Sequence, residues 1–482
     1  MEPVLIAPPP LLAPSVRRID GRLSYQQETY LELQQAQIVG CRSRTHGYCD
    51  NNHLDLSVRS VDRGALERAL GAVVRRHESL RTAFDGHSTR VTPWVAPVVA
   101  LADASDAADP IECARRLAVD AVMRPFSYDG DLLCRATLIR ISNDEELFVV
   151  VVPHLVSDGA SIARVLKQEL QACYAHETGA GPPPPPVANQ YSDFVHWQRQ
   201  WLGIDARADL IRYYEARIAR ASAATIHRGP TLREQRTWKS ASVAIQLSDS
   251  ATAAVHTMSW RARVAPIVLL LAIYQIAVHI WSGQDDTLIA IPLAARRDMN
   301  MADLIGFFAC HGVIRSSVHG DPTFGELLTR VATSVREAYA NQGTPYGALV
   351  EIARERGDPD PPMTLCMNVH RLPADSDETH SFRATPVPLE PYGVHQLMRW
   401  DMNLLLRQLS TTAIAGWLMY GVDVLDKPAA RTYVRQFLAL VDAATSSPNS
   451  RISVIARAAS DAAASSDSGV LAADTVWRDA VV

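Results

Sequence analysis

The amino-acid sequence predicts a mixed α/β (α+β) protein whose 482 residues form two lobes. Two observations lead to this fold class. From Leu23 onward, segments with apolar residues at helical spacing alternate with short apolar segments typical of strands. A proline-rich stretch after residue 178 then divides these segments into two groups, and each group is long enough to bury its own core.

The predicted elements of the first lobe begin with a helix after Ser24. This residue is a candidate N-cap because Gln27 stands at the third helical position, which is the pattern of a capping box. Residues 61–77 carry leucine and valine at helical spacing and predict a second helix. Residues 132–141 and 146–152 predict adjacent strands, because a short polar turn separates them.

The second lobe follows a run of five prolines, which favours a stiff and extended linker. Its predicted helices cover residues 205–221, 251–260, 265–281 and 323–341, and its predicted strands cover 286–291, 363–370, 402–408 and 413–420. From residue 456 the chain is rich in Ala, Ser and Asp, a composition typical of a flexible connector. We therefore expect an irregular segment over 1–17, an N-terminal lobe over 18–178, a linker over 179–188, a C-terminal lobe over 189–457 and a flexible tail over 458–482.

The composition argues against several classes of protein. The net charge of −5 provides no basic field for nucleic acid. The seven cysteines form no C-x-x-C pair, which predicts free thiols and no metal site. The N-terminus lacks the basic region of a signal peptide, and the longest apolar stretch, 265–281, is short for a membrane span. A cytoplasmic protein without membrane contact is expected.

The most informative segment has the sequence LFVVVVPHLVSDG and covers residues 147–159. Its continuous apolar run predicts a buried strand, and His154 stands where that strand ends. Asp158 and Gly159 follow, and a helical pattern comes next. An imidazole titrates near neutral pH, so a histidine presented at the end of a buried strand is a candidate catalytic base.

This segment resembles the His-His-x-x-x-Asp-Gly signature of the condensation-domain superfamily, acyltransferases that act on carrier-protein thioesters in nonribosomal peptide assembly. Further segments resemble motifs of the same family in the same order, and together they cover about residues 18–457. They are Leu-Ser-Tyr-Gln-Gln at 23–27, Arg-His-Glu-Ser-Leu-Arg-Thr-Ala-Phe at 76–84, the aromatic segment 191–199, the latch segment 291–308 with Arg315, and the segments 343–350, 400–404 and 416–420.

The resemblance implies two chloramphenicol-acetyltransferase-like lobes in a V-shaped pseudo-dimer with a tunnel between them. It also implies a free-standing, monomeric unit that binds no cofactor of its own. The substrate would arrive on the phosphopantetheine arm of a separate acyl or peptidyl carrier protein. The acceptor would be a small molecule or a second carrier-bound group.

The resemblance assigns the role of general base to His154. Gly159 would donate its backbone N–H to the oxyanion, or it would serve a tight turn before the helix. Asp158 would not orient the histidine as in a catalytic triad; it would pair with Arg296 of the latch segment and fix the geometry. Arg297 would replace Arg296 if the alignment shifted by one residue.

One position departs from the family pattern, because Pro153 stands where the family has its first histidine. Proline fixes φ and removes an N–H donor, so the local backbone is expected to differ from that of relatives. The proline also opens an alternative function. The chain would then be a catalytically silent platform that recruits other assembly-line proteins.

Three residues are candidates for the tunnel lining: Ser157, Cys310 and Asn368. A serine nucleophile is not favoured at Ser157, since the chain has no G-x-S-x-G elbow there. Cys310 and His311 are neighbours on a predicted strand and should face opposite sides, so a thiol–imidazole dyad is not favoured either. Simple core packing is the other interpretation of Cys310.

The tail ends in an apolar and acidic cluster that contains Val476 and Trp477. This cluster is typical of a docking motif, and a frayed terminus is the alternative. The predicted function is transfer of an acyl, aminoacyl or polyketide group to an amine or a hydroxyl. A coenzyme-A-dependent acetyltransferase of the same fold is a further alternative. The sequence does not specify the donor, the acceptor or the choice between amide and ester.

Overall fold

The computed structural model describes residues 21–40, 51–86, 88–219, 240–296, 299–359, 363–371, 382–384, 400–408 and 413–465, with the short pieces 5–6, 11–12, 221, 224 and 226. These residues form a mixed helix-and-sheet protein, which confirms the fold class predicted from the sequence. The described residues contain twelve α-helices and thirteen β-strands.

The helices are α1 (Tyr25–Gly40), α2 (Arg63–Arg76), α3 (Pro110–Met123), α4 (Lys167–Glu177), α5 (Tyr191–Gln200), α6 (Arg207–Arg217), α7 (Asp249–Ala262), α8 (Pro266–Ser282), α9 (Phe324–Ala340), α10 (Tyr346–Arg356), α11 (Lys427–Ser446) and α12 (Ile452–Ser465). The strands are β1 (Asn51–Val58), β2 (Thr82–Phe84), β3 (Thr89–Val91), β4 (Val99–Asp103), β5 (Arg135–Arg140), β6 (Glu146–Pro153), β7 (Ser240–Gln246), β8 (Asp286–Leu293), β9 (Cys310–Ser317), β10 (Leu365–Arg371), β11 (Phe382–Ala384), β12 (Met402–Gln408) and β13 (Ile414–Gly421).

The helix boundaries follow from residues that cap or stop a helix. At the start of α1, the Gln27 N–H donates to Ser24 Oγ and the Ser24 N–H donates to Gln27 Oε1, both at 3.1 Å. This is the predicted capping box, and it satisfies two N–H groups that the helix cannot bond itself. Helix α8 begins with Pro266 and ends at Gly283, whose φ of 70° places it in the left-handed region that favours glycine.

The first lobe is built on a five-stranded sheet with the order β11-β1-β6-β5-β4. Strand β6 is central and pairs antiparallel with β1 along its whole length, from Asn51 opposite Pro153 to Val58 opposite Glu146. One face of the sheet packs against α2 and α4, and the other packs against α3. The edge strand β11 comes from the second half of the chain, so the two halves share this sheet.

The second lobe is built on a six-stranded sheet with the order β7-β13-β12-β10-β8-β9. Helices α7, α8, α9, α11 and α12 cover one face and form the largest apolar cluster of the described residues. A separate apolar cluster joins the opposite face of the same sheet to α1, α5, α6 and α10. Because this second cluster includes the first helix of the chain, it connects the two lobes.

Helix α12 corrects the predicted boundary of the tail. The sequence placed the end of the lobe at residue 457, but α12 continues to Ser465. Ile452, Ile455 and Ala459 are buried at helical spacing against α11. An alanine-rich composition suits both a helix and a flexible connector. The helical spacing of the two buried isoleucines favours the helix.

In the described part of the chain, no single helix is long and apolar enough to cross a membrane. Helices α7 and α8 have the necessary length and composition only when taken together, and they are bent by 107° relative to each other. The side chains of α8 from Val268 to Val278 are buried in the core of the second lobe.

Candidate active site

The central strand β6 delivers His154 to the junction of the lobes. Its last residue, Pro153, has φ −66° and ψ 147°, so the proline ring fits the strand without distortion. The register with β1 still extends to Asn51 opposite Pro153, and a short 3-10 turn from His154 to Val156 follows. The departure from the family pattern at Pro153 therefore leaves the strand intact up to the histidine.

The imidazole of His154 is half-buried between two aromatic side chains. Its ring centroid lies 4.5 Å from that of Phe307 in the latch segment and 6.1 Å from that of Tyr30 in α1. The Nδ1 atom is buried and has no hydrogen-bond partner among the described residues. Packing against rings from both halves of the chain, rather than a hydrogen bond to a carboxylate, fixes the orientation of the imidazole.

Side chains from two other elements hold the turn that carries the histidine. Gln27 of α1 donates from Nε2 to the carbonyl of Leu155 at 3.1 Å. Asn52 of β1 donates from Nδ2 to Ser157 Oγ at 2.9 Å, and that hydroxyl donates to the carbonyl of Pro153 at 3.0 Å. Ser157 is fully buried, so its hydroxyl supports the turn, and the tunnel-lining position predicted for it is corrected.

The carboxylate of Asp158 is 1% exposed, and hydrogen bonds surround it. Oδ1 accepts from the Ser161 N–H and hydroxyl and from Arg296 Nη2, while Oδ2 accepts from the N–H groups of Phe308 and Ala309. These five donors belong to the start of the following helix and to the latch region. The carboxylate thus connects the two halves of the chain, and its oxygens are engaged away from the histidine.

Arg296 is held through both terminal nitrogens of its guanidinium, while its buried Nε has no hydrogen-bond partner among the described residues. Nη1 donates to the carbonyls of Met301 at 2.6 Å and Leu304 at 2.8 Å, and the guanidinium lies 4.1 Å over the ring of Phe308. The side chains of Arg296 and Asp158 are 7% and 2% exposed. Such a buried pair adds little net stability over an apolar pair, but removing one partner is costly because the other is left buried and charged.

The latch segment approaches α5 so closely that only glycine fits at position 306. A Cβ atom there would lie 2.0 Å from Cδ2 of Tyr191. The Tyr191 hydroxyl donates to the carbonyl of Phe307 at 2.7 Å, and burial raises the pKa of Tyr191. The tyrosine therefore stays neutral and acts as a donor to the residue that packs on His154.

Gly159 differs from the glycines that a turn requires. It is exposed, its φ is not positive, and a Cβ atom at this position would meet no atom within 4 Å. The tight-turn interpretation is therefore not supported. Asp158 caps the helical segment that begins here, because its Oδ1 accepts a hydrogen bond from the Ser161 N–H at 2.8 Å. The Gly159 N–H is therefore one of the first-turn donors that have no acceptor within the helix.

The remaining sequence candidates lie elsewhere. Cys310 starts β9 and is 2% exposed within the core of the second lobe, which favours the core-packing interpretation. His311, on the opposite face of that strand, packs edge-on against Trp400 at 5.0 Å. Asn368 is half-buried on β10. Arg297, Val476 and Trp477 lie outside the described residues.

Two functional-site residues were not found from the sequence. Asn52 stands in a strand of mixed polarity that the sequence did not predict, and Phe307 has no signal of its own beyond its place in the latch segment. No sequence pattern connects either residue with His154, because each contacts the His154 turn only through the tertiary fold. Groups of three or more His, Cys, Asp or Glu side chains suited to a metal are not present among the described residues.

Comparisons with known proteins identify the family of this chain. Residues 28–464 match the family model described as Condensation domain. Over 407 residues, 82% of this chain, the sequence is 28% identical to a linear gramicidin synthase protein of Brevibacillus parabrevis, and the match covers 8% of that protein. Over 310 residues, 61% of this chain, it is 34% identical to phosphinothricin tripeptide synthetase PhsC of Streptomyces viridochromogenes, and the match covers 28% of that protein. The chain thus corresponds to a small part of these synthetases.

Solved structures show the same fold. The X-domain from teicoplanin biosynthesis superposes with a TM-score of 0.77 at 23% identity, covering 92% of this chain and 99% of that one. The condensation domain of the monacolin K polyketide synthase MokA superposes with a TM-score of 0.73 at 20% identity, covering 90% and 98%. The family model spans most of the chain, and the chain therefore belongs to the condensation-domain family of amide-forming acyltransferases.

Proposed function

We propose that this protein transfers an acyl or aminoacyl group from the phosphopantetheine thioester of a carrier protein to an acceptor amine. The observation that carries the proposal is the position of His154. A half-buried imidazole stands at the end of the central strand, between aromatic rings from both halves of the chain. A hydroxyl acceptor, and a polyketide donor, fit the same chemistry. The partners would be a carrier protein and a small or carrier-bound acceptor.

In the proposed step the acceptor amine attacks the thioester carbonyl while His154 takes a proton from the nitrogen. Nδ1 is buried, so Nε2 is the nitrogen left to face the substrate. A C–N bond forms and gives a tetrahedral oxyanion, toward which the Gly159 N–H is available as a donor. The C–S bond then breaks, and the thiolate takes the proton from the imidazolium, so that amide and free thiol are the products.

Asp158 does not take part in this proton transfer. Both carboxylate oxygens accept hydrogen bonds from other groups, so no triad of the Ser-His-Asp kind is formed. The base works through its position at the end of the central strand, between two aromatic rings. Asp158 and Arg296 instead keep the latch segment, and with it Phe307, against the histidine.

The first test measures thiol release from acyl-pantetheine thioesters, and from acyl groups loaded on a carrier protein, with pooled amine and alcohol acceptors. His154→Ala is expected to lower acceptor-dependent release by about 10²–10⁴-fold, the usual contribution of a positioned general base. The matched control is His319→Ala, since the His319 side chain is 86% exposed and follows the far end of β9. Equal rates for wild type and His154→Ala would contradict the proposal.

A second candidate function follows from Pro153, which stands at the position of the family's first histidine. The chain would then serve as a catalytically silent platform that recruits other assembly-line proteins. The same assay separates the two functions. Absence of release from every donor, including carrier-loaded groups, in a correctly folded wild-type protein would favour the platform. Action as a monomer in the cytoplasm stays a prediction.

A further inference from the structure

A wide groove of about 900 Å³ crosses the second lobe on its helical side. Helices α7 and α9 form its walls, and the end of α11 closes it near Pro448. Met258, Val264, Leu328 and Ala332 contribute apolar surface to it. The residues that line the groove lie on the face of the second sheet that is covered by α7, α8, α9, α11 and α12. His154 follows a strand of the first sheet and lies toward the other face of the second sheet, between the lobes. The groove is therefore separate from the candidate active site.

The groove is lined by three arginines and by no acidic residue among those described. Arg261 and Arg263 lie at the end of α7, and Arg336 lies across the groove on α9. None of the three forms an ion pair with a described acidic side chain, and Arg336 donates to Thr333 Oγ1 of its own helix, at 3.0 Å. An apolar floor with an uncompensated positive rim fits an occupant that is both apolar and acidic.

The residue next to this rim is unusual for a surface helix. Trp260 is 81% exposed, although tryptophan is normally buried or placed at an interface. Arg263 adopts φ 55° at the end of α7, a left-handed position where glycine is the usual residue. Large aromatic and cationic side chains thus lie together at one end of an open groove.

The chain itself contains a segment with the complementary composition. Residues 466–482, SDSGVLAADTVWRDAVV, carry three aspartates and one arginine, with valine, leucine and tryptophan between them. This C-terminal segment lies outside the described residues and directly follows α12. Its formal side-chain charge is −2, because three negative charges are offset by one positive charge.

The position of α12 brings this segment within reach of the groove. The Ile452 N–H donates to the carbonyl of Pro322, and the Ser453 hydroxyl donates to Asp321, so α12 starts beside the start of α9. A 14-residue helix is about 21 Å long. Seventeen extended residues span up to about 56 Å, which is more than twice the distance back along α12.

We propose that the C-terminal segment 466–482 binds in the α7–α9 groove of its own chain. Its aspartates would pair with Arg261, Arg263 and Arg336, and its apolar residues, with Trp477 as the largest, would cover the groove floor. The proposal is independent of acyl transfer. Its occupant is a segment of this chain, which distinguishes it from recruitment of a partner by the same tail.

The test is hydrogen exchange of the full-length protein, followed by mass spectrometry over residues 466–482. The variant Arg261→Glu/Arg263→Glu/Arg336→Glu is expected to exchange about tenfold faster in this segment, because each surface ion pair contributes a few-fold. Trp477→Ala should raise the exchange rate as well. Replacing Asp467, Asp474 and Asp479 by arginine should speed exchange in the otherwise wild-type protein. In the groove variant the same replacement should restore slow exchange, because the charges are then complementary again.

The matched control reverses three exposed arginines far from the groove, Arg59, Arg90 and Arg116, and it should leave exchange in the segment unchanged. Exchange in α12 reports whether each variant is folded. Equal exchange over 466–482 in wild type and groove variant would overturn the proposal. Protection that rises with protein concentration would also overturn it, because the groove would then hold the segment of a second copy.

Discussion

Two of the arginine–carboxylate pairs in this molecule differ in how fully they are enclosed. Asp158 and Arg296 join the first lobe to the latch segment and are 2% and 7% exposed. Glu169 and Arg76 join α4 to α2 and are 14% and 17% exposed. The first pair includes a residue four positions from the candidate base, whereas the second anchors the linker.

The second pair is built around the proline-rich linker. Arg76 donates to both carboxylate oxygens of Glu169, at 2.6 and 3.0 Å, and its Nη2 also donates to the carbonyl of Pro185 at 2.7 Å. Buried His77 lies 3.5 Å from the same carboxylate. The residues flanking the histidine are thus fixed by complete enclosure, while the linker is held by a pair that water still reaches. Breaking the two pairs should therefore have unequal effects.

The largest effect is expected for Asp158→Ala. It leaves the Arg296 guanidinium buried without its carboxylate, and it removes the acceptor of the Phe308 and Ala309 N–H groups. We expect a loss of about 3–5 kcal/mol in the free energy of unfolding, measured by urea denaturation. Acceptor-dependent thiol release should fall too, since Phe307 loses its support. A loss below about 1 kcal/mol would show that the enclosure contributes little.

A smaller effect is expected for Glu169→Gln. Burial opposes ionisation of this carboxyl, but the hydrogen bonds and charges of His77 and Arg76 outweigh it and lower the pKa of Glu169 to about 2. Because the folded pKa is lowered, the ionised carboxyl stabilises the fold at pH values above its unfolded pKa of about 4.3. This stabilisation is lost as the pH falls toward 2. We expect Glu169→Gln to lower the free energy of unfolding by about 2 kcal/mol at pH 7.

The pH dependence separates this pair from the enclosed one. In urea denaturation at pH 7 and pH 3, wild type should lose part of its advantage over Glu169→Gln at the lower pH. A difference that stays constant between these pH values would contradict the assigned role of Glu169. Activity per folded molecule should change little, because the pair lies on the linker side of α2 and α4.

The smallest effect on stability, about 1 kcal/mol, is expected for Asn52→Ala, which removes one side chain that holds the His154 turn. Since Asn52 positions the base and does not touch the substrate, kcat should fall by about tenfold while KM stays near the wild-type value. The conservative variant Asn52→Gln serves as the comparison for partial rescue. An unchanged kcat with lowered stability would reduce Asn52 to a purely structural role.

Local patterns predicted much of the fold. The capping box at Ser24, the strand β6 and the strand 402–408 were found from the sequence because their signals lie within a few residues. Strand β1 was not found, since His53, Asp55 and Ser57 interrupt its apolar pattern and its pairing with β6 joins residues about 95 positions apart in sequence. Long-range pairing of this kind leaves no local signal.

The site divides in the same way. The motif at 154–159 was visible, and the resemblance suggested Arg296 as the partner of Asp158, 138 residues away. The role of Asn52 could not be predicted, because a side-chain bond to a distant turn depends on tertiary packing. For Cys310 the sequence left tunnel lining and core packing open, and the alternation of β9 turns its side chain into the core.

Strand β11 has a consequence for biosynthesis. Residues 382–384 complete the first sheet by pairing with residues 56–58 of β1. A ribosome adding about 5–20 residues per second needs about 16–65 s to make the intervening chain. During that time the nascent first lobe carries an unpaired β1 edge, and such an edge can pair with another nascent chain. Crowded polysomes and slow elongation would thus favour misassembly, and sparse, fast translation would favour correctly assembled protein.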